Sequence, residues 1–117
     1  MGSFKNLIVW QKAKDLAVSI YKITNTGSIA KDFGLRDQMR RSAVSIPSNI
    51  AEGDDLGTDK QAIRHFYIAR GSVAELLTQL LIAEEIGCLD KGVSSLLNEF
   101  QLISAMLYKL ILSRKED

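Results

Sequence analysis

The chain of 117 residues is poor in the residue types that carry most protein chemistry: one cysteine, one histidine, one proline and one tryptophan. A single cysteine, Cys88, excludes an internal disulfide and a cysteine-rich zinc site. A single histidine, His65, leaves no imidazole cluster for a metal and no Glu-x-x-His pair of the di-iron bundle type, since Ala62 stands three residues before it. No strand pattern is present: apolar and polar residues nowhere alternate, and no Asn-Gly turn occurs. Without strands there is no glycine-rich phosphate loop of the strand-to-helix kind. The N-terminus has no signal-type apolar region, and position 6 is Asn rather than the Ser or Thr of a myristoylation site. The longest apolar block, Val73 to Ile86, is interrupted by Glu75, Thr78, Gln79, Glu84 and Glu85, and reads as too short and too polar to span a bilayer. These absences point to a cytoplasmic protein without cofactor, metal or small-molecule substrate.

What is present is helix. Hydrophobic residues make up 46% of the chain and charged residues 25%, a balance that suits one packed domain over residues 1–117. Four helices are expected, over about 7–24, 33–52, 59–86 and 91–114. In the first, Val9, Trp10, Ala13, Leu16, Ala17, Ile20 and Ile23 recur at spacings of three and four after a capping Asn6. Asp32 is placed to cap the second helix and Gly53 to stop it. Thr58-Asp59-Lys60-Gln61 forms a capping box for the third, whose seam is Ala62, Phe66, Ala69, Val73, Leu76, Leu80 and Ala83. Asp90 can open the fourth, with Val93, Leu96, Phe100, Ile103, Leu107 and Ile111 inward and a frayed tail from Ser113. Short turns between such helices give an all-α, antiparallel, up-down-up-down four-helix bundle.

The second helix has two faces. At about 100° per residue, Leu35, Met39, Ala43, Ile46 and Ile50 share one sector, and Gln38, Ser42, Ser45, Asn49 and Glu52 share a second. Lysine and glutamate would fill the second sector on an ordinary surface helix. Here it holds small and amide side chains, which can be buried if each is hydrogen-bonded. The third helix carries a matching stripe: Gln61, His65, Ile68, Ser72, Glu75 and Gln79. Antiparallel packing across a short turn pairs residues at roughly constant sum, so Asn49 falls near His65, Ser45 near Ile68 to Ser72, and Gln38 or Ser42 near Glu75 and Gln79. The expected polar contact is therefore Gln38, Ser45, Asn49 and Glu52 against Gly71, Ser72 and Glu75, with Gly71 allowing the helices to touch. Pro47 cannot donate to the carbonyl of Ala43, so a bend is expected there.

Acid–base catalysis needs a pocket and perturbed carboxylates or imidazoles. Glu52, Glu75 and His65 show no such pattern. The two carboxylates read as ion-pair partners of Arg40, Arg41 or Arg70, and His65 as a half-buried hydrogen-bonding residue. Net charge is +1, which gives no overall signal for nucleic acid. Residues 1–34 do hold five Lys against two Asp, so a basic surface would centre on Lys5, Lys12 and Lys14, with Arg40 and Arg41 beside them. A solvated helix face is the ordinary reading of such lysines.

The run Leu35-x-x-Gln38-x-Arg40-Arg41-x-Ala43-x-Ser45-Ile46-Pro47-x-Asn49-Ile50-Ala51-Glu52-Gly53 is long and specific. With Leu7-x-Val9-Trp10-Gln11-Lys12-Ala13 before it and Ala69-x-Gly71-Ser72-x-x-Glu75-Leu76 after it, the chain resembles the bacterial four-helix bundle family, also called 23S rRNA-intervening sequence proteins. The chain departs from the family's pattern at Asp54-Asp55, where a basic residue is common, and at Thr26-Gly27-Ser28, where Phe-Pro is common. The resemblance implies a cytoplasmic homopentamer with no enzymatic activity. A distant relative, the accessory variability protein of diversity-generating retroelements, is a pentameric barrel that binds nucleic acid and a reverse transcriptase. Two functions are implied. One is a homo-oligomeric scaffold that binds RNA, DNA or a nucleic-acid enzyme; the other is a protein–protein interaction module without nucleic acid.

Overall fold

In the computed structural model the described residues are 3–89 and 95–115. Among them are four α-helices and no strand: α1 (Ile8–Ile23), α2 (Phe33–Asp55), α3 (Asp59–Glu85) and α4 (Leu97–Lys115). They form a four-helix bundle measuring 47 × 22 × 20 Å. The α2–α3 contact is the most extensive and the α1–α4 contact the thinnest of the neighbouring pairs. One contiguous core contains Ala13, Leu16 and Ile20 of α1, Met39, Ala43, Ile46 and Ile50 of α2, the full α3 seam, and Phe100, Ile103, Leu107 and Ile111 of α4.

The helix ends follow local chemistry. Asp32 accepts from the Leu35 amide at 3.2 Å and opens α2. Thr58 accepts from the Gln61 amide at 3.2 Å and opens α3. The Gln61 side chain does not return to the backbone; its Oε1 accepts from the Thr58 hydroxyl at 3.1 Å, so the box is half made. At the other end of α3, Cys88 N–H donates to Ala83 and Gly87 N–H to Glu84, a Schellman ending that needs the positive φ of Gly87.

Several boundaries differ from expectation. Asn6 does not cap α1: it belongs to a 3-10 turn, Phe4–Asn6, and Leu7 holds the capping position without a side-chain bond. The connector after α1 contains a second 3-10 turn, Ser28–Lys31, which delivers Ile29 fully buried into the core. Asp90 and Val93 lie outside the described residues, and Ser113 to Lys115 continue as helix. Gly53 does not stop α2. The helix passes through it to Asp55, and glycine is needed there for packing: a Cβ on Gly53 would stand 2.6 Å from Phe66 Cε1 and 3.1 Å from the Ala62 carbonyl oxygen. Gly53 is thus a point of close approach between α2 and α3. α2 also runs on through Pro47.

α3, with its C-cap Ile86, contains the apolar block. At 27 residues it is long and apolar enough to cross a bilayer by length and composition. Only 33% of its most apolar stretch is buried in the bundle, so α3 keeps apolar side chains on its outside as well as in its seam.

Candidate functional site

The two sides of α3 are the features to examine. On the side facing α2, Ser42 Oγ donates to Glu75 Oε1 at 2.6 Å. Ser45 Oγ lies 2.9 Å from Ser72 Oγ. Asn49 Nδ2 donates to the Ser45 carbonyl at 2.8 Å and to Ser45 Oγ at 3.1 Å. That hydroxyl keeps a second lone pair and its own proton, so either serine of the Ser45–Ser72 pair can be the donor. His65 Nδ1 lies 2.9 Å from Asn49 Oδ1 and 3.3 Å from Glu52 Oε2. Both are acceptors, so Nδ1 carries the proton. A connected chain results: His65 donates to Asn49, Asn49 donates to Ser45, and Ser45 shares a hydroxyl–hydroxyl bond with Ser72. The polar stripes of α2 and α3 meet within one subunit, and these bonds hold the two helices in register.

The seam ends at its lower part. Gln38 is exposed. Gln79 Oε1 is buried with no partner. Gly71 is not a point of contact: a Cβ there would meet nothing within 4 Å, and the residue is exposed. Close approach was expected at Gly71 and is found at Gly53. Glu52 and Glu75 pair with His65 and Ser42, not with arginines. Arg70 instead lies over the Tyr108 ring at 5.0 Å and donates to Ser104 Oγ at 3.3 Å.

On the outside of α3, Ile68, Leu81, Ile82 and Ile86 are exposed, Ile82 by 46% and Ile86 by 59%. Gly71, Ala74 and Thr78 lie between them, also exposed. A ridge of this composition resembles a core face more than a solvated one.

A family model, that of the 23S rRNA-intervening sequence protein, matches residues 5–109. The chain belongs to the 23S rRNA-intervening sequence protein family. A solved structure of a protein of unknown function from the S23 ribosomal protein family of Bacteroides thetaiotaomicron is similar across 89% of this chain and 95% of its own, at 25% identity and a TM-score of 0.80. No curated protein matches the chain.

In this member of the 23S rRNA-intervening sequence protein family, the basic residues are unevenly available. Arg40 Nε donates to Thr24 Oγ1 at 2.9 Å, and its guanidinium lies 4.6 Å from the centre of the Tyr21 ring. Thr24 in turn donates to the Ile20 carbonyl at 2.6 Å, so Arg40 is tied to the end of α1. Lys14 pairs with Asp15 at 2.9 Å and Lys12 lies 3.9 Å from Glu99. Lys5 and Arg41 are exposed. The acidic pair Asp54-Asp55 after Ala51-Glu52-Gly53 leads into a tie across the bundle. Asp54 accepts from Arg114 at 3.2 Å and Asp59 from the same guanidinium at 3.4 Å, which ties α4 to the α2–α3 turn over the Phe66 ring. A cleft of about 550 Å³ lies where the α1 and α3 ends meet, lined by Lys22, Ser28, Cys88 and Leu89 among others. Its described lining residues include no carboxylate and no imidazole, so they offer no acid–base pair.

Proposed function

We propose that the chain is a non-enzymatic, cytoplasmic scaffold that assembles with copies of itself, as a pentamer, and holds RNA, DNA or a nucleic-acid enzyme on the assembly. The observation that carries this reading is the outer face of α3. A bundle of this size gains stability from burying one stripe per helix, and α3 has apolar residues on two. Only a partner surface would remove the second from water. The polar seam cannot serve as that contact, since its serines, amide and carboxylates are bonded inside one subunit.

The nucleic-acid part rests on repetition. The excess of positive charge in residues 1–34 is weak in one subunit, and a ring would multiply it. Lys5 carries the contact in this reading, with Arg40 more occupied in structure than in binding. Filter binding of RNA and DNA at two salt concentrations tests it. Binding that weakens with salt and falls on Lys5→Ala is expected. No binding at low salt would instead leave a scaffold for proteins alone, the reading favoured by the engaged state of Lys12, Lys14 and Arg40.

A further inference from the structure

We propose that the outer ridge of α3 docks into the α1–α2 groove of a second copy of this chain, in a head-to-tail contact that can close into a ring. The inference rests on the self-assembly proposed above and adds the two surfaces that meet.

The ridge is acidic from Gly71 onward, while the exposed Arg64 stands one turn before Ile68 at its other end. From Gly71 to Leu89 the chain holds three glutamates, Glu75, Glu84 and Glu85, and no lysine or arginine. Glu75 uses Oε1 to accept from Ser42, and the residue remains exposed. The groove between α1 and α2 has the opposite sign. It is a shallow depression of about 500 Å³ lined by Tyr21, Asp37, Arg40, Arg41 and Val44. Asp37 is already paired with Arg36 at 2.9 Å, which leaves the two guanidiniums of Arg40 and Arg41 dominant. Tyr21 and Val44 are exposed there, and Val18 lies about one turn before Tyr21 on α1. The ridge is apolar with acidic residues beside it, the groove joins Tyr21 and Val44 to two arginines, and the charges are complementary.

That complementarity selects the symmetry. Ridge against ridge over residues 71–86 would set the exposed Glu75 and Glu85 of one copy against those of the other, and groove against groove would set arginine against arginine. Ridge into groove pairs opposite charge, and such a contact uses two different patches of the subunit. Heights along the bundle agree. The Ser45–Ser72 and Ser42–Glu75 bonds put those pairs level. Val44 and Arg41 each precede one of these serines, so neighbours rotated about an axis along the bundle bring Val44 level with Gly71 and Ala74, and Arg41 level with Glu75. Open space around Gly71 leaves a hollow that a valine side chain can enter.

Two single variants and their mixture decide the matter, measured by sedimentation velocity with helix content followed by circular dichroism. Val44→Glu spoils the groove and keeps the ridge; Ala74→Arg spoils the ridge and keeps the groove. Each alone should run at the monomer mass of 13.0 kDa, and an equimolar mixture should run at twice that mass, because one intact ridge meets one intact groove. A Val44→Glu protein that keeps the wild-type assembly overturns the proposal, and so does a mixture that stays monomeric. If Val44→Glu loses its helix content, Arg41→Glu replaces it with the same two outcomes. A wild-type chain that is itself monomeric removes the parent reading together with this one.

Discussion

The inner and outer sides of α3 are built from similar residues and do opposite things. On the inner side, serines, an asparagine and a histidine are bonded to one another, and Gly53 brings α2 against Phe66. On the outer side, Ile68, Ile82 and Ile86 have water as their neighbour, and Gly71 faces open space. A small or polar residue on a helix therefore does not show by its type whether it serves the subunit or an assembly. What decides is whether its partners lie within the same chain.

Mutations can break this comparison, beginning with the largest effect. Phe66→Ala empties a fully buried position between Gly53 and Arg114 and should cost about 3–5 kcal/mol in urea denaturation. Gly53→Ala should cost about 1–3 kcal/mol, because its methyl group meets the Phe66 ring and the Ala62 carbonyl at distances that force a shift. The same substitution on the outer side should have the opposite sign. Gly71→Ala in the monomeric Val44→Glu background has helical backbone and room for a methyl group, and should gain about 0.4–1 kcal/mol by restricting the unfolded chain. Ser42→Ala removes a donor to Glu75 and should cost about 1 kcal/mol, since the carboxylate is exposed enough to find water. Smallest of all, Leu81→Gln should change the monomer's unfolding free energy by no more than about 0.5 kcal/mol.

The register of the α2–α3 seam was legible in the sequence. Helical periodicity sets each face, the short turn at Leu56 to Thr58 sets the direction, and the two together place Ser45 opposite Ser72 and Asn49 opposite His65. The role of Gly53 was not legible. Glycine followed by Asp54-Asp55 has the composition of a helix stop, and the need for glycine comes from Phe66, which belongs to the next helix. The Arg114–Asp54 tie was hidden for the same reason, with 60 residues between its ends. Glu52 and Glu75 were assigned to arginines because opposite charges attract at a distance; in the fold the nearer partners are an imidazole and a hydroxyl. The outer ridge was obscured by its own regularity. Ile68 falls beside the polar stripe, and the clean inner seam accounts for so much of the hydropathy of α3 that the remainder on the other side is easily missed.

The central claim is that the apolar outer face of α3 is covered by another copy of the chain. Sedimentation equilibrium of the wild-type protein across a hundredfold range of concentration around ~10 μM, where an interface of standard size should be populated, tests it most directly. A mass that is a whole multiple of 13.0 kDa, five in the pentameric case, is the predicted result. A mass of 13.0 kDa at every concentration would contradict the account.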